Sequence, residues 1–115
     1  MAYGSAEAVQ GELSFLSRHH ARFRSGGIFG TIRQGRRVPA SLELPLVDAN
    51  TRERLGKAEI LEVRWLKLVE IDQPSIMRFE FTQSPAELAS SLRRLYPTLQ
   101  DDSWVTFIRF RMVDD

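Results

Sequence analysis

The chain has 115 residues, 43% apolar and 27% charged, the balance of one ordinary folded domain. That composition excludes a second domain of useful size and argues against disordered, collagen-like and coiled-coil readings. With no cysteine, a disulfide framework, a thiolate zinc site and a thiol nucleophile are all excluded.

A net charge of +1 conceals a segregation. Residues 13–42 hold six arginines (Arg18, Arg22, Arg24, Arg33, Arg36, Arg37), two histidines and no acid, for a charge of +6, while the rest of the chain sums to −5. Of 16 cationic residues 14 are arginine, whose planar fork of donors suits phosphate and base edges. Codon bias accounts for an excess of arginine over lysine, but it does not clear acids from thirty consecutive positions. A polyanion is the expected partner. No apolar run approaches the roughly 20 residues of a membrane span, and the N-terminus has no basic segment followed by an apolar core. A soluble, cytoplasmic protein without membrane contact is expected, with one domain over 1–115 and fraying at residues 1–5.

In chain order, Val9, Leu13, Leu16, His20 and Phe23 recur at spacings of 4, 3, 4 and 3, which predicts one helix over 7–25 closed by Gly26-Gly27. Gly11 sits inside that pattern at a cost of about 1 kcal/mol relative to alanine. The β-branched segment 28–33 predicts a strand, and 34–41 a basic loop. A second strand over 42–47 contains Pro45, which places it at an edge or a bulge. After a turn at 48–51, residues 57–65 alternate as a strand paired with 42–47. Residues 66–72 extend or bend it, and 73–83 are irregular. Ser84-Pro85-Ala86-Glu87 is a capping box that starts a helix carrying Leu88, Leu92 and Leu95, stopped by Pro97. Residues 104–112 alternate as a final strand. Few strands with helices set apart predict an α+β domain with a small, largely antiparallel, closed or nearly closed barrel-like sheet.

Gly26 followed five residues on by Thr31-Ile32-Arg33 is similar to a motif of the ASCH family, a PUA-like β-barrel. The upstream Phe15 and Arg18, the strand pair with a glycine before its second strand, the leucine-rich helix ending Leu95-Tyr96-Pro97, and the closing Val105–Phe110 segment resemble that family in the same order. The resemblance spans about residues 11–113. It implies a small barrel with two main helices that binds RNA or a nucleotide; no metal or other cofactor is expected. One branch of the family hydrolyses acetylated cytidine with a lysine, a threonine and a glutamate. Carried over, the threonine is Thr31 and the family arginine is Arg33, but the lysine position holds Ile28. The glutamate falls near Glu80, with Phe81 at the aligned place. A threonine hydroxyl without a neighbouring base or cation is a weak nucleophile.

Each candidate has a structural alternative. Thr31 also reads as an ordinary β-former, and Arg33 as the partner of an acid such as Glu62 or Glu80. Arg22 and Arg24 also compensate a helix C-terminus. Trp65 and Trp104 are base-stacking surfaces or core. His19 and His20 are neighbours on a helix, about 100° apart, so they do not converge on one substrate atom. His20 belongs to the apolar stripe, and His19 shares a face with Phe15, Arg18 and Arg22. Two adjacent histidines supply too few ligands for zinc.

The expected site is therefore a cleft between the first helix, the strand of Thr31 and Arg33, and the loop 34–41. Its anion-binding residues are Arg33, Arg36, Arg37, Arg18 and Arg22. The expected function is RNA or nucleotide binding. The alternative is a hydrolase acting on a modified nucleoside or RNA, with Thr31 and Glu80 as catalytic residues and a cation from Arg36, Arg37 or Lys57 replacing the lysine. A third reading, a protein-interaction module, follows if the chain's own acids neutralise the basic rim.

Overall fold

A computed structural model describes residues 6–71 and 85–113, excluding the side chains of Arg18 and Pro85. Among the described residues seven strands and two helices run in the order β1 (Ala8–Gln10), β2 (Leu13–Phe15), α1 (His20–Arg24), β3 (Phe29–Gln34), β4 (Arg37–Pro39), β5 (Glu43–Asp48), β6 (Arg54–Lys67), α2 (Pro85–Leu95) and β7 (Trp104–Val113). Short 3-10 turns cover Ser17–His19 and Leu68–Glu70.

The expected helix over 7–25 is corrected. Only 17–24 is helical, and the part before it forms two short strands. Tertiary pairing outweighs the helical spacing: Leu13 and Phe15 are buried and flank a half-buried Ser14, a period of two rather than 3.6. They pair in parallel with Leu46 and Asp48 of β5. Val9, assigned to the buried stripe, is 66% exposed, whereas Gln10 is buried. The Gln10 amide donates to the Glu12 carbonyl at 2.5 Å, and its Oε1 accepts from Arg37 Nη1 at 2.9 Å. Gly26-Gly27, both at positive φ, terminate the helix where the sequence places its end.

The expected loop 34–41 is also corrected in part, because Arg37–Pro39 forms β4, paired in parallel with β1. The remaining strands lie within a few residues of their expected bounds. β5 and β6 pair antiparallel, with an irregularity at Leu46/Val47 beside Pro45. The stretch 73–83, the cap residue Ser84 and residues 1–5 lie outside the described residues.

The main sheet has the order β2-β5-β6-β7-β3, parallel at β2-β5 and antiparallel elsewhere. It curls into a half-barrel, and β2 and β3 are its two edges rather than a closed seam. Alternation along β7 separates two cores. Val105 and Phe107 join Ile32, Leu66 and Leu68 beneath Leu88 and Leu92 of α2. Ile108 and Phe110 join Leu13, Phe15, Phe29 and Leu46 against Phe23 of α1. In the second core Phe15, Phe23, Phe29 and Phe110 meet at ring-centroid distances of 4.7 to 6.0 Å, in edge-on and tilted pairs. Both helices thus stand on the sheet near β3, and a cavity opens at that edge.

Candidate functional site

A cavity of about 490 Å³ lies between the two sheet edges and α2. Ser14, Phe15 and Leu16 form one side, Thr31, Ile32 and Arg33 the next, and Ser91, Arg94, Leu95 and Tyr96 the third, with His19 beside Phe15. Because β3 ends the sheet, residues on both of its faces reach this space. Ile32 packs beneath α2 while Thr31 and Arg33 present the opposite face. The strict alternation of the strand therefore does not separate Thr31 from the cavity.

Arg33 organises the wall. Its Nη1 donates to the Thr31 hydroxyl and to the Ile32 carbonyl at 3.2 Å, and its Nη2 donates to the Ser14 carbonyl at 3.1 Å. The guanidinium also lies over the Phe15 ring, 5.0 Å from its centroid. It thus ties β3 to β2 across the gap where a closed barrel would have a backbone ladder. Thr31 is buried and half-buried Arg33 is ordered by three oxygens, so this corner is rigid.

The two histidines diverge. His19 is edge-on to Phe15, with centroids 6.2 Å apart, and lines the cavity. His20 turns to the other side, with Nε2 3.3 Å from Asp48 Oδ2 and 3.4 Å from the Phe15 carbonyl. The backbone N–H groups of Thr51 and Asn50 hold the Asp48 carboxyl below its ordinary range against the opposing pull of burial, with smaller help from His20.

Arg36 and Arg37 occupy different ground from Thr31 and Arg33. They line a second cavity of about 410 Å³ with Gln34, Gly35, Ser103 and Trp104. Arg36 Nε donates to Glu7 Oε1 at 3.0 Å, and its guanidinium lies over Trp104 at 5.4 Å. Arg37 donates to the Gln34 carbonyl at 2.7 Å and to Gln10, while Trp65 Nε1 donates to the Arg37 carbonyl at 2.8 Å. Lys67 Nζ lies 4.2 Å over the Trp104 ring, so the chain's own cations cover this tryptophan. The loop 34–41 is therefore not a wall of the Thr31 cleft, which corrects the expected geometry. Neither Arg36, Arg37, Lys57 nor Ile28 lines that cleft, and Ile28 is 46% exposed before β3 begins. The cation at Thr31 is instead Arg33.

Arg22 is exposed on α1, outside both cavities. Arg18 lies in the Ser17–His19 turn, and its side chain is outside those described. Glu80 lies outside the described residues. Glu62, the acid weighed as a partner for Arg33, belongs to β6 and pairs with Arg64 at 2.6 Å and Arg109 at 3.1 Å. Burial pushes its carboxyl up, but the hydrogen bonds and charges of Arg64 and Arg109 outweigh this and hold it below its ordinary value.

Sequence reasoning passed over Ser14, Arg94 and Leu16 as cavity residues. Arg93-Arg94 near the end of an amphipathic helix reads as dipole compensation, and nothing in their spacing ties Arg94 to a strand over sixty residues away. Among the described residues no three His, Asp or Glu side chains cluster as metal ligands, and no helix is long and apolar enough to cross a membrane. No family model, curated protein or solved structure matches this chain.

Proposed function

We propose that the domain is an ASCH-like, PUA-like module that binds RNA or a nucleotide, and that the cleft beside Thr31 and Arg33 receives a nucleoside unit. The observation that carries this reading is the juxtaposition of a polar corner, Thr31 with Arg33, and the half-buried rings of His19 and Tyr96 around one cavity. A flat heterocycle needs ring faces to stack on and a few fixed hydrogen-bonding groups to orient its edge. Arg33 supplies orientation through a guanidinium already fixed by the fold, so little freedom is lost on binding. Arg36, near Trp104, serves as a phosphate contact for a longer strand running past the second cavity.

The hydrolase alternative draws support from the contact of Arg33 with Thr31, because a guanidinium lowers the cost of developing negative charge on the hydroxyl oxygen. Arginine remains protonated, so it cannot take the hydroxyl proton. That step would fall to His19, which lines the same cleft.

The test is calorimetric titration of the four ribonucleosides, acetylated cytidine and short single-stranded RNA into wild type, Thr31→Val and Arg33→Lys. Binding by wild type that weakens about tenfold in each variant supports the reading, the scale of one hydrogen bond to a charged or buried group. Equal affinity in all three proteins overturns it. Turnover of acetylated cytidine abolished by Thr31→Ala would establish the hydrolase instead.

A further inference from the structure

The described residues lining the cleft include two arginines and a histidine and no carboxylate. Arg33, at one wall, is engaged by Thr31, two backbone carbonyls and the Phe15 ring. Arg94 differs in placement. It is exposed in the last turn of α2, beside Leu95 and Tyr96, and borders both the cleft and a shallower hollow of about 390 Å³. That hollow also carries Glu87, whereas the described lining of the cleft has no carboxylate.

Arg93, the other arginine of that last turn, is paired with Asp101. Leu16 and Leu95, 40% and 71% exposed, border the same cleft and give it an apolar rim. An apolar rim, a polar corner and a cation in solvent suit a ligand with a ring at one end and an anion at the other.

Building on the nucleoside reading, we propose that the cleft takes a phosphorylated nucleotide: base and sugar lie against Thr31, Arg33 and the aromatic side chains, and the phosphate rests on Arg94. Arg94 is then the residue that separates nucleotides from nucleosides. A free mononucleotide and the phosphorylated end of an RNA offer the same chemistry.

The experiment titrates ribonucleosides, their 5′- and 3′-monophosphates, and short oligoribonucleotides with and without a terminal phosphate into wild type, Arg94→Gln and Arg94→Lys. Wild type should bind a monophosphate at least about tenfold more tightly than its nucleoside, as expected for a charge-assisted phosphate contact. Arg94→Gln should remove most of that ratio, weakening monophosphate binding far more than nucleoside binding, and Arg94→Lys should keep part of it. A terminal phosphate that strengthens oligonucleotide binding more than it strengthens mononucleotide binding identifies an RNA end, and the reverse identifies a free nucleotide; both support the assignment. If nucleosides bind and Arg94→Gln leaves the ratio intact, or if wild type has no preference for the phosphate, the inference fails and the nucleoside reading stands. If neither nucleosides nor nucleotides bind, both fall. Arg94 is exposed, so each variant should melt with wild type, which separates a binding loss from a folding loss.

Discussion

Replacing Arg33 with methionine removes the guanidinium that joins β3 to β2 and keeps an apolar stem over Phe15. At least three hydrogen bonds are lost, those to Thr31, Ile32 and Ser14. Bonds to charged groups contribute about 1.5 to 3 kcal/mol each in favourable sites, but Arg33 is only half-buried and water partly replaces the protein oxygens. A net loss of about 2 to 3 kcal/mol follows, equivalent to roughly 8 to 12 °C at about 4 °C per kcal/mol. Thr31→Val keeps the shape and removes one acceptor, costing about 1 kcal/mol. Since part of each loss is the same bond, the double variant should be less destabilised than the sum, with a coupling of about 0.5 to 1.5 kcal/mol. Urea unfolding of the four proteins measures it. Additivity within about 0.3 kcal/mol would show that Arg33 and Thr31 do not act as a unit and would refute the rigid corner.

Gly56 in β6 has φ +154°, and a Cβ there would stand 2.7 Å from Met112 Cε. The methionine end yields but the backbone does not, so Gly56→Ala should lower stability by about 1 to 3 kcal/mol in thermal melts. Asp48 and Glu62 are both held below the ordinary carboxylate value, so the stability they contribute is complete above about pH 4.5 and is lost as pH falls through their lowered values. Acid titration of folding should therefore be level down to about pH 5 and fall below it, with a shallower fall in Asp48→Asn. Arg36→Glu breaks an exposed pair with Glu7, costing about 1 kcal/mol or less, yet should reduce the log-log salt slope of single-stranded RNA binding by about 0.7, the share of one phosphate. An unchanged slope would remove Arg36 from the strand's path.

Strand alternation at 57–65 and 104–112 and the proline-started helix were readable because each segment's local preference agrees with its place in the fold. Residues 7–16 misled because Val9, Leu13 and Leu16 satisfy a helical period by spacing alone. Their actual fate depends on β4 and β5, partners more than twenty-five residues away. The site divides along the same line. Thr31 and Arg33 are neighbours on one strand and were recoverable together. Arg36 and Arg37 were assigned to the same rim by sequence proximity, whereas the turn at Gly35 carries them to Trp104. Arg94 reaches the cleft only through the packing of α2 on Ile32, a contact that no local pattern encodes.

The most direct test of the nucleotide cleft is the amide spectrum of the isotope-labelled protein during titration with a nucleoside monophosphate. The proposal predicts saturable shifts grouped at Ser14–His19, Thr31–Arg33 and Ser91–Tyr96, with Gln34–Arg37 and Trp104 unmoved. Shifts centred on Arg36, Arg37 and Trp104, or none at millimolar ligand, would contradict it.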